Sequence, residues 1–466
     1  MLRFFNSLSL KKEAFKPLRD NEVRIYSCGP TVYDYAHIGN FRAYVFSDLL
    51  RRYLEFKGYG VKLVMNVTNV DDKTIKGARD AGKTLAEFTR FYEKSFFDDL
   101  QALEIKPAFA YPRATENVPQ MIALIEKLLE KGIAYKGADG SVYYSIKKFA
   151  DYGKLSRLRG LKTGASGRVS ADDYEKENAS DFALWKAHAP EDGEVFWNAP
   201  FGKKGRPGWH IECSAMSAHY LGQPFDIHIG GVDLRFPHHE NEIAQSTGAS
   251  GKPLARFWMH NEHLLVDGQK MAKRFHNFYT LRYVTAKGYS ARAIRFLLIS
   301  THYRSQLNFT FQALDAATNT IRKISDFYGR LEQASSAKEN QTVAKALADC
   351  EKEFEKRMDD DFDVSQALAS VFEFVRVANK AIDEGKLDKK TSLKTKLFFD
   401  KLDSVFCFIE KTASQELDDD IAKLVEEREN ARKSKNFKRA DEIRALLRKK
   451  GIVLEDTPKG VVWKKA

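Results

Sequence analysis

The chain has 466 residues, too many for one core, and its 43% hydrophobic content with 33 Phe excludes a disordered polypeptide. Its 76 basic against 64 acidic side chains leave a net charge of +12, which favours a polyanionic partner over an acidic small substrate alone. Four scattered cysteines, Cys28, Cys213, Cys350 and Cys407, are too few for a disulfide framework and fit a reducing cytoplasm, and no apolar run approaches a signal peptide or the ~20 residues of a membrane helix.

The first element with a clear signal is a buried strand from Val23 to Cys28, β-branched and aromatic in bias. A Gly/Pro loop follows, then a helix whose apolar residues repeat from Phe41 to Lys57 and which Gly58 is placed to stop as a left-handed cap. In an open α/β sheet, ligands bind where strand carboxyl ends meet helix amino ends, so the loop must bring Cys28 and His37 to one rim. The helix start, near Gly39 or Asn40, offers free N–H groups and a positive dipole end, with His37 and Asn40 as further donors. A phosphate belongs there. Val61–Thr68 reads as a second buried strand, which completes one half of a nucleotide-binding fold.

From Asp72 to about Leu103 the chain reads as helices with an apolar face of Phe88, Phe91, Tyr92, Phe96 and Leu100, punctuated by Pro107 and Pro112. A helix from about Glu116 to Lys131 leads into a hairpin over Gly137–Ile146. Between Tyr152 and Gly208 periodicity is poor, as in an insertion with mobile loops, although Phe182, Leu184, Trp185, Phe196 and Trp197 argue that much of it is packed. Order returns with a helix from about Trp209, a strand Phe225–Ile229, a loop GGVDLRFP, a helix opening HHENEIAQS and a strand Arg256–Val266 before GQKMAKR. Beyond about Thr310, apolar residues at helical spacing (Leu314, Ile321, Ile324, Phe327, Leu331, then Leu368, Val371, Phe372, Val375) predict a helical bundle. The end of the chain reads as two basic helices and a strand-like tail.

One constellation suggests a metal. His238 and Glu242 are four apart at a helix start and project from one face. Cys28 ends a strand and Cys213 sits in the early turns of a helix at the same sheet rim. Thiolate, imidazole and carboxylate together are zinc chemistry. Spacing leaves His239 with Glu242 open as the alternative pair.

GPTVYDYAHIGNFR is similar to the HIGH signature of class I aminoacyl-tRNA synthetases. YSCGPTVYD, GWHIECSAM and GGVDLRFPHHENEIAQS resemble the cysteinyl-tRNA synthetase family. GQKMAKRFHNFYTLRYV resembles the KMSKS loop, and DDDFDVSQALASVFEFVRVANKAI the helical tRNA-binding domain shared by cysteinyl and arginyl enzymes. ARKSKNFKRADEIRALLRKKGIVLEDTPKGVVW is similar to the small cysteinyl anticodon module. The resemblance runs from about Phe15 to Trp463.

It implies an α/β fold: a Rossmann-type class I catalytic domain with an insertion, then an α-helical tRNA-binding domain and a small C-terminal anticodon-recognition module. The implied division is a first catalytic half (1–115), a connective insertion (116–204), a second half with the zinc site (205–269), a KMSKS-like loop and stem-contact region (270–315), the bundle (316–420) and the module (421–466).

By the same resemblance, Cys28, Cys213, His238 and Glu242 hold one zinc ion, which selects His238 over His239. Thr68, Trp209 and His210 line the amino-acid pocket, and Gly230, Gly231 and Asp233 lie against the nucleotide. His37 and Asn40 stabilise the α-phosphate of ATP, which carries magnesium, while Lys270 and Lys273 serve the pyrophosphate. Ala272 and Arg274 stand where the family's loop has serines, and Asn40 stands for the last His of HIGH.

The implied reaction activates L-cysteine with ATP to cysteinyl adenylate and transfers it to the 3′ end of the cysteine-specific tRNA, in a cytoplasmic monomer. Zinc that accepts the substrate thiolate would separate cysteine from serine, where a hydrophobic pocket gives only about 10²-fold. With four protein ligands, that thiolate must add as a fifth or displace one. Two alternatives compete. A cysteine ligase of mycothiol biosynthesis is disfavoured by the tail Lys423–Ala466. A non-catalytic zinc RNA-binding protein is disfavoured by His37, Lys270 and Lys273, since binding alone needs no phosphate clamps.

Overall fold

The computed structural model describes residues 1–157, 181–202, 204–271, 275, 277–410, 419–449, 452–457 and 460–465. It divides into two units, Met1–Ile409 and Glu410–Ala466.

The first unit is built on a four-stranded parallel sheet in the order Ala255–Asn261, Phe225–Gly231, Glu22–Ser27, Gly60–Met65. Its strands are buried on both faces, so they read as apolar runs. The chain leaves Glu22–Ser27 for one neighbour, through helix Ile38–Phe56, and leaves Phe225–Gly231 for the neighbour on the other side, through helix His238–Ser250. The crevice between the two central strands is therefore the topological switch point, where a ligand is expected. Gly58, at φ +90°, ends the first helix as its sequence suggests.

That helix starts at Ile38, not at Gly39 or Asn40, because His37 itself caps it. The single strand expected over Arg256–Val266 is two. Ala255–Asn261 stays in the parallel sheet, whereas Leu264–Val266 joins Leu307–Phe309 and Gln269–Lys270. The break has a cause: buried Arg42 donates to the carbonyls of Glu262 (2.8 Å) and His263 (2.6 Å), so the Glu262 carbonyl is satisfied outside any strand, while that of His263 also accepts from the Leu307 N–H (3.2 Å).

The insertion forms its own antiparallel sheet, Ala134–Lys136, Val142–Tyr144, Phe182–Ala187 and Gly205–Pro207. Its last strand feeds helix Trp209–Leu221 through Gly208, where a Cβ would overlap the carbonyl of Ala183. Residues 158–180, within the insertion whose loops were expected to be mobile, lie outside the described residues.

The bundle comprises Phe311–Arg330, Gln341–Asp359, Val364–Asp383 and Lys389–Phe406. Its core takes Leu314, Ile321, Ile324, Phe327, Leu368 and Val371, but Phe372 faces outward and Phe374 is buried in its place. Likewise Phe91 leaves the apolar face assigned to it and is 53% exposed.

The second unit pairs helices Asp419–Lys433 and Phe437–Lys449 with an antiparallel hairpin, Ile452–Thr457 and Gly460–Lys465, over Ile443, Leu447 and Leu454. The strand-like tail is thus two strands. Among the described residues no helix is long and apolar enough to cross a membrane.

Candidate active site and metal centre

The rim begins at Cys28, whose N–H donates to the Ile229 carbonyl across the two central strands (3.2 Å). Gly29 follows with its N–H on Asn66 Oδ1 (2.8 Å), and a Cβ there would overlap the Asn66 carbonyl. Only glycine permits that approach.

His37 then caps the helix. Its Nδ1 accepts from the Asn40 N–H (3.2 Å), while Asn40 Oδ1 accepts from the His37 N–H (3.1 Å). This reciprocal pair is a capping box in which imidazole and amide replace the usual hydroxyl and carboxylate. Because Nδ1 accepts, the ring proton sits on Nε2. Burial lowers this imidazole to about 4, so at neutral pH it can offer a phosphate a neutral N–H at the positive end of the helix dipole, although the Ile38, Asn40 and Phe41 amides expected to be free there are already bonded.

The segment after Lys270 comes back onto the same helix start. His37 bridges Thr280, Ile38 N–H donates to the Tyr279 carbonyl (2.9 Å), and the Phe278 ring lies 4.9 Å from the His37 ring. On the outgoing side, Met271 Cε would be 3.7 Å from a Cβ on Gly39. Lys270, exposed at the end of a two-residue strand, therefore stands beside the phosphate rim. Lys273, Ala272 and Arg274 lie outside the described residues. Gly230 and Gly231 end the strand next to the rim, and a Cβ on Gly231 would collide with Asp233, whose carboxylate acts on the His37 ring.

Four donors from three distant stretches meet deeper in the crevice. Ligand atoms of Cys28, Cys213, His238 and Glu242 all lie within 4.8 Å of one another. Cys28 Sγ is 3.9 Å from Cys213 Sγ and 3.8 Å from Glu242 Oε1, and His238 Nε2 is 3.2 Å from that oxygen. Zinc bonds of about 2.0–2.3 Å span separations of this size.

The charges suit a divalent cation too. Against burial, which would raise it, His228 and His238 hold Glu242 down at about 2. His238 is raised to about 10 although burial opposes this, since Cys213 and Glu242 favour its cation. Cys28 is pushed well up by burial and by Cys213, which is itself lowered by the Cys28 hydrogen bond. Protons now sit where a metal would replace them.

A second donor group, Cys28, His228, His239 and Glu242, overlaps the first. His239 Nε2 is 3.3 Å from Cys28 Sγ, so the ambiguity between the two histidines persists in three dimensions. Their surroundings differ. His239 Nδ1 is engaged by His260 Nε2 (2.8 Å), and Nδ1 of that ring meets Ser7 Oγ (2.8 Å). His228 Nε2 is 2.9 Å from Glu242 Oε2, and its ring stacks on Trp258 at 4.4 Å. Both have the placement of groups that orient ligands.

The residues expected to line the amino-acid pocket gather at the same corner. His210 Nδ1 is 2.9 Å from His238 Nδ1, and the Trp209 ring, 40% exposed, lies 4.3 Å from the His238 ring. Thr68 donates to Glu212 Oε2 (2.8 Å).

His228, Glu212 and Glu240 are functional candidates that sequence reasoning missed. Asp226 and His228 at alternate positions of an otherwise apolar strand were a usable sign of buried polar chemistry. Glu212 is fully buried, with its carboxyl pushed well up by burial and by Cys213. Glu240 accepts from the N–H groups of Gly153 (2.9 Å) and Ser156 (2.8 Å) and from Ser156 Oγ (2.8 Å), tying the insertion to the first turn of the helix that carries His238 and Glu242. Nothing in the sequence announces that contact.

A family model for the tRNA synthetases class I (C) catalytic domain matches residues 14–319, a DALR domain matches 353–410, and a cysteinyl-tRNA ligase anticodon binding domain matches 414–463. The chain is 49% identical to a cysteine–tRNA ligase of Brachyspira hyodysenteriae over 99% of each chain. It is 46% identical to one of Protochlamydia amoebophila over 100% of this chain and 98% of that one.

Among solved structures it is similar to Mycobacterium tuberculosis methionyl-tRNA synthetase in complex with methionyl-adenylate, with TM-score 0.59, 14% identity, and 82% of this chain and 89% of that one covered. It is also similar to the Agrobacterium radiobacter K84 LeuRS ternary complex with tRNA and LeuAMS, with TM-score 0.60, 13% identity, and 84% and 85% covered. At such identities these two bear on fold alone. The catalytic-domain match over residues 14–319, and near half identity along the whole chain, establish that it belongs to the cysteine–tRNA ligase family of class I aminoacyl-tRNA synthetases.

Proposed function

We propose that the chain joins L-cysteine to its tRNA in two steps at this rim. A cysteine carboxylate oxygen attacks the α-phosphorus of ATP and magnesium pyrophosphate leaves. A hydroxyl of the tRNA's terminal ribose then attacks the carbonyl carbon and AMP leaves. The observation that carries this reading is the meeting of Cys28, Cys213, His238 and Glu242 within 4.8 Å, beside a helix start capped by His37.

Cys28, Cys213, His238 and Glu242 would hold one zinc ion. Of the two overlapping donor groups this one is preferred because it takes both thiols and leaves His228 and His239 to orient Glu242 and Cys28. Bound zinc supplies a soft Lewis acid that takes a thiolate far more readily than a hydroxyl. Thr68, Trp209 and His210 shape the pocket for the rest of the amino acid. His37 Nε2–H, at the positive end of the helix, receives the α-phosphate, and the Asn40 backbone N–H keeps the His37 ring in place. Asp233, Gly230 and Gly231 border the nucleotide, with Lys270 and Lys273 on the pyrophosphate side, where oxygens gain charge.

The anticodon end falls to the bundle and the small module, in the domain division expected above. All four cysteines are free and buried, which supports a reducing, cytoplasmic setting.

Charging of total tRNA with labelled cysteine, run beside cysteine-dependent ATP–pyrophosphate exchange on zinc-replete protein, tests the proposal. Both activities are expected. Exchange without charging in the presence of the cognate tRNA would reassign the acceptor, and neither activity would refute the reading.

A further inference from the structure

The loop from Cys28 to His37 and the helix Leu85–Ala102 leave large rings partly in water. Phe91 is 53% exposed and Tyr33 38% exposed, while Phe88, one helical turn away, is buried. Tyr35, two residues before His37, stands edge-on to Phe91 at 6.1 Å and to Tyr92 at 5.4 Å.

Cations lie over these rings. Lys83 Nζ is 5.7 Å from the Phe91 centroid, Lys73 Nζ is 5.0 Å from that of Tyr33, and the Arg282 guanidinium is 5.3 Å from that of Tyr35. Arg282 also pairs with Asp99 (3.4 Å), so it serves the fold as well. Lys73 and Lys83 are exposed and form no close ion pair among the described residues: Asp72 is matched by Arg206 and Lys186, while Asp71 and Glu87 act on Lys73 and Lys83 only through space.

Exposed rings beside exposed cations are what an unpaired nucleic-acid strand requires, with base faces for the rings and phosphates for the amines. A paired stem shows no base faces, so the rings favour the unpaired strand. Resting on the function proposed above, the reaction must bring the terminal ribose of the tRNA to the His37 rim, and the last nucleotides therefore pass the loop that carries Tyr33 and Tyr35. We infer that Tyr33, Tyr35 and Phe91, with Lys73 and Lys83, form a stacking and phosphate-binding platform for the unpaired 3′ end of the RNA substrate.

Phe91→Ala and Lys83→Gln test it in the full-length, zinc-replete protein; both sites are exposed, so neither change empties a core. Phe91→Ala should raise the KM for tRNA about tenfold, and Lys83→Gln should lower the slope of log affinity against log salt by about 0.7. Cysteine-dependent pyrophosphate exchange without tRNA should match wild type in both. A tRNA trimmed of its unpaired 3′ nucleotides should inhibit wild type and Phe91→Ala equally. An unchanged KM for tRNA overturns the inference, as does weaker inhibition of Phe91→Ala by the trimmed tRNA, which would assign the rings to the stem. Wild-type protein that exchanges but charges no tRNA overturns the function on which the platform rests; a defect in the variants against an active wild type belongs to the platform alone.

Discussion

The corner proposed for the metal and the rim proposed for the phosphates share one sheet edge and are built in opposite ways. At the corner, Cys28, Cys213, His238 and Glu242 are at most 7% exposed, and each donor atom already touches another. At the rim, His37 is half-buried, Asn40 and Lys270 are exposed, and the groups are held by a helix cap and a returning loop. Buried ionisable groups persist only when paired, so the corner must be complete before substrate arrives. Exposed groups carry no such demand and can wait in water for the phosphates. On the function proposed above, the corner selects and the rim reacts.

The largest expected effect breaks the corner alone. Cys213→Ser should abolish zinc retention and lower cysteine-dependent exchange by more than about 100-fold, with ATP affinity little changed. Equal losses in both would sink the assignment of the corner to the amino acid.

His37→Ala breaks the rim instead. Exchange should fall about 10²-fold while zinc content, read by metal analysis, stays at the wild-type level. Loss of zinc in this variant would mean that the two regions are not separable.

A smaller effect sharpens the choice between the overlapping donor groups. His228→Gln should weaken zinc binding by about 10- to 100-fold, as for an orienting partner of Glu242. His239→Gln should do likewise, leaving one ion bound in each. Complete loss of metal in His239→Gln, with retention in His238→Gln, would transfer the ligand role to His239.

The smallest effects are in pH. Zinc uptake should release protons, because Cys28 is pushed up and His238 is raised to about 10, so both hold protons near neutrality. Affinity should therefore fall as pH falls, which a chelator competition series would read. His37 behaves in the opposite sense. Lowered to about 4, it is neutral in the folded chain throughout pH 6–8, and exchange should show no inflection from it there. Its contribution to stability is present above the ordinary histidine range and is lost as pH falls from about 6.5 toward 4.

Much of this was legible because it is local. The strand before Cys28, the helix after His37, the stop at Gly58 and the pairing of His238 with Glu242 on one helix face all follow from short-range pattern. Where reading failed, the deciding contact was distant in sequence. Arg42 breaks the strand at Glu262, 220 residues away, by taking its carbonyl. Phe91 and Phe372 have helical spacing for the core, yet spacing alone does not say which edge of an apolar stripe another element will cover.

The sequence by itself determined the main strands and helices of the parallel sheet, the helical bundle and the identity of the family, because propensity, periodicity and the motif strings are written in consecutive residues. Only the tertiary structure decided that Cys28, Cys213 and the His238–Glu242 turn converge, that His228 rather than a neighbour braces Glu242, and that Glu240 ties the insertion to that same turn. Such contacts join residues from different strands and helices, and their register is set by sheet order and packing, which no local pattern encodes.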